Sequence, residues 1–243
     1  MADLDIACVT DTGGRGGNED RLVAKSLGAV HLLAVADGLG GHAAGEVASS
    51  VALTELEGYL RANVVGEDIL HAVKEAVSKA NKEIHLLSEE NPGYAGMGTT
   101  LVMGLVQADK VLVANVGDSR LYHISENAMN QITRDHSVVQ ELVEQGLITA
   151  QDALCHPEKS VLTRVLGLEP EVEADTYDIE FLPDDLLLLC SDGLTDSLRD
   201  EEIRGIIVSS GNLDEACARL ISLAREKGGT DNISVVLARR KRE

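Results

Sequence analysis

Aspartates follow apolar runs of strand length at three places in this chain, each with a glycine directly beside it. They are Asp37, Asp118 and Asp192. A single Asp-Gly pair is an ordinary turn, but buried strands fix their ends rigidly, so carboxylates at the ends of separate strands can meet at one point. Glycine at such a point lets the backbone approach as well. The recurrence therefore predicts a site for a hard divalent cation.

Two further aspartates extend the pattern. Asp231 lies between a Gly-Gly-Thr segment and the apolar run 233–238, and Asp20 closes the polar cluster Asn18-Glu19-Asp20. These segments contain no Cys-x-x-Cys or His-x-x-x-His pair, and oxygen donors alone favour Mg²⁺, Mn²⁺ or Ca²⁺ over zinc or copper. The alternating acidic pattern of a calcium loop is missing too. The sequence therefore predicts Mg²⁺ or Mn²⁺.

A glycine-rich segment after the first of these aspartates, Gly38-Leu39-Gly40-Gly41-His42-Ala43, matches the dinucleotide-binding fingerprint in its Gly-or-Ala form. That fingerprint requires a second strand about 20 residues further on, ending in an acid for the ribose. Helical patterns fill that stretch here. We therefore assign the glycines to close approach of the backbone to the ion held by Asp37, with the Gly38 carbonyl as a ligand.

The composition fits one domain, residues 1–243, with an aliphatic core. Hydrophobic residues make up 44% of the chain, with four Tyr, one Phe and no Trp. A chain of this length can bury most of its surface around one core. The formal charge of −20 repels nucleic acid and anionic membranes, and it favours cations or basic segments of partner proteins.

The four cysteines, Cys8, Cys155, Cys190 and Cys217, are widely spaced. The chain opens on an acidic, polar segment and has no apolar run near the 18 residues that a membrane span requires. We expect a cytoplasmic protein with free thiols. Cys190 lies inside an apolar strand, where a small hydrophobic filler is expected rather than a nucleophile.

Hydrophobic periodicity predicts a mixture of strands and helices. Strands are predicted at 6–10, 30–36, 99–106, 110–115, 120–124, 160–166, 177–181, 185–190 and 233–239. Helices are predicted at 45–61, 68–89, 137–145, 201–208 and 213–226. The connections after residues 106 and 115 are too short for parallel crossovers, so three strands form an antiparallel meander. Two consecutive amphipathic helices indicate a helical layer on one face of a sheet, and the fold class is α+β.

Residues 136–160 are expected to form a flap, a long loop with short helices of its own that can cover a site. His136 and His156 lie at its two sides. We expect them to shape access to the site rather than to perform chemistry.

Six short segments occur in a fixed order and span nearly the whole chain. They are Arg15-Gly16-Gly17-Asn18-Glu19-Asp20, Asp37-Gly38-Leu39-Gly40-Gly41-His42, Gly98-Thr99-Thr100, Gly117-Asp118-Ser119-Arg120, Ser191-Asp192-Gly193-Leu194 and Gly229-Thr230-Asp231-Asn232. Each is weak alone. Together they resemble the motifs of the metal-dependent protein phosphatase family, also called protein phosphatase type 2C, and most closely its compact bacterial members.

The resemblance implies a central sandwich of two antiparallel β-sheets flanked by pairs of α-helices, in four layers α-β-β-α. It also implies hydrolysis of phosphoserine and phosphothreonine in proteins with two Mn²⁺ or Mg²⁺ ions. In that arrangement Asp37 would bridge both ions and the Gly38 carbonyl would bind one. Asp192 and Asp231 would hold the other side.

The resemblance gives roles to four more residues. Asp20 would lie in or just outside the ligand shell, and Glu19 would orient metal-bound water. Asp118, with Asp192, resembles a third and weaker metal site of bacterial members. Arg15 matches the family's phosphate-gripping arginine, whose two parallel hydrogen bonds a lysine could not reproduce. The alternative for Arg15 is a surface ion pair with Glu19 or Asp20.

His42 is the candidate general acid that would protonate the departing serine or threonine oxygen. Many family members place this histidine directly after the Asp-Gly pair, whereas Leu39-Gly40-Gly41 intervenes here. The alternative is a histidine at a helix N-terminus that packs or binds a phosphate.

The leading hypothesis is an active Ser/Thr protein phosphatase that reverses the work of a cytoplasmic kinase. Two alternatives stay open, a pseudophosphatase that acts as a regulatory binding protein and a metal-dependent hydrolase of small phosphates. None of the expected metal aspartates is substituted, which disfavours the pseudophosphatase. Nothing in the sequence requires more than a monomer.

Overall fold

The computed structural model describes residues 3–41, 43–64 and 68–242. Its strands build two five-stranded antiparallel sheets and one short two-stranded ribbon. The strands are β1 (Leu4–Asp11), β2 (Arg21–Ser26), β3 (His31–Ala36), β4 (Gly38–Leu39), β5 (Gly98–Thr99), β6 (Leu101–Gln107), β7 (Lys110–Val116), β8 (Arg120–Ile124), β9 (Met129–Gln131), β10 (Asp175–Glu180), β11 (Leu186–Cys190) and β12 (Ile233–Arg240).

The two large sheets have interleaved chain order. Sheet A runs β1-β12-β11-β8-β9, and sheet B runs β10-β7-β6-β3-β2. One apolar cluster joins them, with Val35 and Val113 from sheet B, Leu189 and Val236 from sheet A, and Phe181 from the loop after β10. The two sheets therefore face each other around a shared core, as in a β-sandwich.

Helix pairs cover the outer faces of both sheets. The helices of the described residues are α1 (Ala43–Asn63), α2 (Ile69–Glu90), α3 (Val138–Glu144), α4 (Ala150–Ala153), α5 (Asp192–Thr195), α6 (Asp200–Ser209) and α7 (Leu213–Glu226), with a short 3-10 helix at Pro92–Tyr94. The pair α1 and α2 packs with sheet B in one apolar cluster, and α6 and α7 pack with sheet A in another. The predicted α+β sandwich with flanking helix pairs is confirmed.

Strand β3 shows why a strand could be predicted here from a continuous apolar run. Five of its residues, from Leu32 to Ala36, are buried, because sheet B is covered by sheet A on one face and by α1 and α2 on the other. A strand buried on both faces gives a continuous apolar run rather than alternation. Helix α2 begins as predicted beside Asp68, whose side chain accepts a hydrogen bond from the Leu70 N–H.

Two sequence-based expectations are wrong. The predicted three-stranded meander is divided, because β7 pairs within sheet B whereas β8 pairs with β11 and β9 in sheet A. The turn that contains Gly117 and Asp118 therefore crosses between the sheets. The predicted strand at 160–166 is an extended segment with only isolated bridges, Ser137 to Leu162 and Thr99 to Leu166.

We call residues 160–166 the strap, because they run across the end of the sandwich. The Val138 N–H donates to the Val161 carbonyl at 2.9 Å, and at the other end the Leu166 N–H donates to the Thr99 carbonyl at 2.9 Å. Helices α3 and α4 precede the strap, inside the predicted flap. Within the part of the chain that the structure describes, no helix is both long and apolar enough to cross a membrane.

Candidate metal centre and active site

The strand ends that carry the predicted aspartates meet at one end of the sandwich. Asp37 and Asp118 follow β3 and β7 of sheet B, whereas Asp192 follows β11 and Asp231 precedes β12 of sheet A. All four line one cavity of about 270 Å³. The cavity is also lined by Arg15, Glu19, Gly38, Leu39, Gly40, Gly41, Thr100, Ser160, Leu162, Asp196 and Asn232. Both sheets thus contribute acidic groups to the same space.

The backbone of Asp37 is held by two threonines at the junction of β5 and β6, Thr99 and Thr100. The Asp37 N–H donates to Thr100 Oγ1 at 2.9 Å, and the Asp37 carbonyl accepts from the Thr100 N–H and from Thr99 Oγ1, each at 2.8 Å. Burial, followed by the charges of Asp20 and Asp192, raises the pKa of Asp37 well above its usual value. A nearby cation would favour the charged form of this carboxylate.

Gly38 lies where the backbone has no room for a side chain. A Cβ atom there would overlap the Gly45 carbonyl and approach the Glu19 carbonyl oxygen to 2.8 Å. Gly45 is restricted in the same way, because its Cβ would overlap Glu19 Oε2. The start of α1 therefore packs directly on the Asp37-Gly38 turn, and Glu19 packs on both.

Asp20 lies behind the cavity rather than in its lining. It is 1% exposed, and its Oδ2 accepts a hydrogen bond from Ser191 Oγ at 2.7 Å. Burial raises the pKa of Asp20 to about 6, against the opposing effect of the hydrogen bond from Ser191. Its second oxygen, Oδ1, is buried without a hydrogen-bond partner. The structure thus places Asp20 directly against Asp37, one layer deeper.

Asp118 lies in the turn that joins the two sheets. Gly117 precedes it with a φ of +103°, a conformation that favours glycine, and a Cβ there would lie 2.7 Å from Thr100. Burial and then the charge of Asp135 raise the pKa of Asp118 to about 7. The turn is therefore fixed on the threonine that also holds Asp37.

Asp192 is the first residue of α5, directly after β11. Burial, and then the charges of Asp118 and Asp196, raise the pKa of Asp192 well above its usual value. Its Oδ1 is buried and has no hydrogen-bond partner. Gly193 packs on β12, because a Cβ there would overlap the Asn232 carbonyl oxygen. This close contact sets the distance between the segments that carry Asp192 and Asp231.

Arg15 lies at the rim of the cavity, paired with one of its acids. Its guanidinium donates to Asp231 Oδ2 at 2.8 Å, and its side chain is 57% exposed. The loop that carries it is held by Asn232, whose Nδ2 donates to the carbonyls of Thr12 at 3.0 Å and Gly17 at 2.9 Å. Arg15 therefore has an exposed guanidinium, on a loop that hydrogen bonds hold in place.

The residues present fit a divalent cation. Several carboxylates are buried close enough to raise one another's pKa, and two of their oxygens are buried without a partner. Among the described residues, no three Asp, Glu, His or Cys side chains are placed to hold an ion by themselves. Backbone carbonyls and water must complete the coordination, as is usual for Mg²⁺.

The structure brings most of the predicted residues together. Arg15, Glu19, Asp37, Gly38, Asp118, Asp192 and Asp231 line the cavity, with Asp20 behind them. His42 lies outside the described residues. Sequence reasoning assigned no role to Thr100, Ser160, Leu162, Asp196 or Asn232, which also line the cavity. Asp196 carried a usable signal, because it lies four residues after Asp192 and thus on the same face of a helix.

A two-sheet sandwich between helix pairs, with a carboxylate-lined cavity at the end where both sheets meet, is the architecture of the metal-dependent protein phosphatases. The comparisons agree. The model of the protein phosphatase 2C family matches residues 16–238. The chain therefore belongs to the protein phosphatase 2C family.

Individual relatives are similar over most of the chain. The serine/threonine phosphatase Stp of Listeria welshimeri is 42% identical over 212 residues, covering 86% of this chain and 84% of that protein. The crystal structure of the Mycobacterium tuberculosis serine/threonine phosphatase PstP/Ppp has a TM-score of 0.90 at 38% identity, covering 98% of this chain and 99% of that one. The PstP catalytic domain in complex with two manganese ions has a TM-score of 0.88 at 37% identity, with coverage of 98% and 99%.

Proposed function

We propose that this enzyme, a protein-serine/threonine phosphatase, hydrolyses phosphoserine and phosphothreonine in proteins by direct attack of water, using two Mn²⁺ or Mg²⁺ ions. The observation that carries the proposal is the meeting of Asp37, Asp118, Asp192 and Asp231 from both sheets in one cavity that also has Arg15 at its rim. The acids supply cation ligands, and the arginine supplies a phosphate ligand. A phosphate monoester needs both, because its uncatalysed hydrolysis is among the slowest known.

We assign each acidic residue a role in holding the ions. Asp37 would bind both ions and the Gly38 carbonyl one of them, and Asp192 and Asp231 would bind from the opposite side. Asp20 would support Asp37 from behind, and Asp118 with Asp192 would form a third, weaker position. When bound, such ions lower the pKa of water and offset the charge of the phosphate.

Arg15 would bind the phosphate of the substrate. Its guanidinium is exposed and paired with Asp231, and exposed ion pairs are worth only about 0–1 kcal/mol. A phosphate dianion can therefore displace that carboxylate and accept two parallel hydrogen bonds. Glu19 lines the same cavity and can accept hydrogen bonds from water there, which orients the nucleophile. His42 remains the proposed donor of the proton to the leaving oxygen.

The remaining expectations concern the surroundings of the enzyme. We propose a monomeric cytoplasmic catalytic domain, residues 1–243, that opposes a Ser/Thr kinase. The flap at 136–160 would contact the substrate protein, because Ser160 and Leu162 of the strap that follows line the cavity. The high negative charge of −20 favours phosphorylated sites with basic neighbours.

The experiment measures phosphate release from a phosphothreonine peptide with Mn²⁺, for the wild type, Asp192→Ala and a control, Asp178→Asn. Asp178 is an exposed residue of β10 that does not line the cavity, so its change removes one charge elsewhere. We expect metal-dependent release that Asp192→Ala reduces at least a hundredfold and Asp178→Asn leaves unchanged.

Two outcomes would contradict the proposal. A wild type that releases no phosphate with any divalent cation would leave the binding role of a pseudophosphatase. Release from p-nitrophenyl phosphate but from no phosphopeptide or phosphoprotein would indicate a hydrolase of small phosphates.

A further inference from the structure

His136 is a buried side chain between two segments of the site. It follows Asp135 in the chain and is 2% exposed. The Gly117 N–H donates to its Nδ1 at 3.1 Å, and its own backbone N–H donates to the Gly117 carbonyl at 2.9 Å. Both polar groups of Gly117 are thus held by one residue. Asp118 comes next in the chain, so the position of its carboxylate depends on this contact.

The second ring nitrogen faces an anchored acid. Because Nδ1 accepts the Gly117 N–H, the ring proton lies on Nε2, which is 3.2 Å from Asp175 Oδ2 without good hydrogen-bond alignment. Asp175 is itself fixed, since its Oδ1 accepts from Arg164 at 2.6 Å. Arg164 also donates to the Glu173 carbonyl at 2.9 Å. The ring is thereby held in one orientation.

His136 also holds the strap. Its carbonyl accepts a hydrogen bond from the Thr163 N–H at 2.8 Å, and Thr163 lies between Leu162, which lines the cavity, and Arg164. The strap and the Asp118 turn therefore meet at one residue. A movement of either changes the contacts that His136 makes to the other.

We propose that His136 is a positioning residue that fixes the Asp118 carboxylate and the strap in one arrangement on the same side of the cavity. The inference rests on the proposed function only in taking Asp118 as a cation ligand. A buried histidine that merely fills space would not need Nδ1 on a backbone N–H of the site. The geometry gives Nδ1 the task of positioning Asp118, and the Nε2 side, through Asp175 and Arg164, the task of holding the ring and strap together.

Two amide variants separate the ring nitrogens. The side-chain amide of His136→Asn reaches the position of Nδ1 and can accept from Gly117, whereas that of His136→Gln reaches the position of Nε2 and cannot. We expect His136→Asn to bind Mn²⁺ within about threefold of the wild type. We expect His136→Gln to lose about tenfold in affinity for the weakest ion, which is the effect of about one hydrogen bond.

Mn²⁺ binding is followed by calorimetry and by electron paramagnetic resonance, and folding by thermal melting. Equal Mn²⁺ isotherms for His136→Gln, His136→Asn and the wild type would overturn the proposal, as would equal losses in both variants. These results do not depend on catalysis. A wild type that binds Mn²⁺ but releases no phosphate would instead refute the proposed function, and the comparison of variants would still decide the role of His136.

Asp175→Asn keeps the test decisive if the buried variants do not fold. Asp175 is partly exposed, at 29% of its side chain, so this change should be tolerated. It weakens the hold on the ring and on Arg164, and we expect a KM for a phosphothreonine peptide raised about threefold or more with kcat less affected. In addition, the amide of Gly117 should exchange with solvent faster. Unchanged exchange at Gly117 together with unchanged KM would overturn the proposal.

Discussion

Thr100 shows how one hydroxyl group can connect two acidic segments of the cavity. Its Oγ1 accepts the Asp37 N–H at 2.9 Å and lies 2.7 Å from Ser119 Oγ, next to Asp118. Both hydroxyl groups are buried, with Thr100 at 1% exposure. The turns that carry Asp37 and Asp118 are therefore tied together by hydrogen bonds that water cannot replace.

Thr100→Val tests this connection with almost no change in shape. Valine leaves the buried Asp37 N–H without an acceptor, which should lower the free energy of unfolding by about 1–3 kcal/mol. Mn²⁺-dependent turnover should fall with it, because both turns lose their common tie. Thr100→Ser keeps the hydroxyl and is the matched control. Urea unfolding and an Mn²⁺ titration of activity check the prediction, and equal behaviour of the Val and Ser variants would contradict it.

Residue types predicted the acids that line the cavity better than the residues that support them. Asp37, Asp192 and Asp231 were singled out because aspartates recur beside the ends of apolar runs of strand length. Thr100 and Asn232 were part of recognised motifs, but their role depends on what lies across the cavity. Hydrogen bonds between residues 63 positions apart, such as Asp37 to Thr100, leave no periodic signal in a sequence.

The short helix α5 links the Asp192 segment to β12. Gly193 is its second residue, and a Cβ there would overlap the backbone carbonyl of Asn232. Backbone cannot move aside as a flexible side chain can. The element is therefore placed by close contact rather than by its own four residues, which are too few to form a stable helix alone.

Gly193→Ala and Gly205→Ala are a matched pair of variants that test whether the Gly193 contact places α5. Gly205 lies on the exposed side of α6 with open space around it, so alanine there should stabilise the protein by about 0.5–1 kcal/mol. Gly193→Ala should destabilise it by about 1–3 kcal/mol through overpacking and weaken Mn²⁺ binding by moving Asp192. Denaturant midpoints and calorimetry measure both. Stabilisation by Gly193→Ala, or equal Mn²⁺ affinity in the two variants, would show that this contact does not place Asp192.

Elements with strong periodicity were predictable, and those defined by long-range contacts were not. The predicted bounds of α7, 213–226, are those observed, because its apolar face repeats regularly. Strand β2 was missed, since its edge position leaves it half polar. The strap was predicted as a strand from its apolar residues, but these lie in two adjacent pairs, and its pairing is limited to two isolated bridges. No local sequence signal shows that β8 joins sheet A while β7 joins sheet B, since the short turn between them could equally form a hairpin.

The whole molecule combines a formal charge of −20 with buried acids at one end. Burial raises the pKa of Asp20 to about 6 and that of Asp118 to about 7, whereas an unfolded aspartate titrates near 4. The metal-free folded state thus binds more protons than the unfolded state between about pH 4 and pH 7. The contribution of these two groups to stability is fully present below that window and is lost as pH rises through it.

This linkage predicts that pH affects the stability of the protein without metal and that saturating metal removes the effect. In a chelator, the melting temperature should be lower at pH 8 than at pH 5. With saturating Mn²⁺ the loss at pH 8 should disappear, because binding requires deprotonated carboxylates and adds about 2.7 kcal/mol at a hundredfold excess over Kd. Melting curves at pH 5 and pH 8, in chelator and in Mn²⁺, test the prediction. A chelated protein that is more stable at pH 8 than at pH 5 would contradict the prediction.

The central claim is that aspartates from both sheets hold two catalytic cations at one end of the sandwich. Anomalous scattering from crystals soaked in Mn²⁺ tests it most directly. We predict two strong manganese peaks inside the cavity, one on each side of the Asp37 carboxylate, with Asp192 and Asp231 bound to one of them. Manganese density elsewhere on the molecule, with none between Asp37, Asp192 and Asp231, would contradict the account.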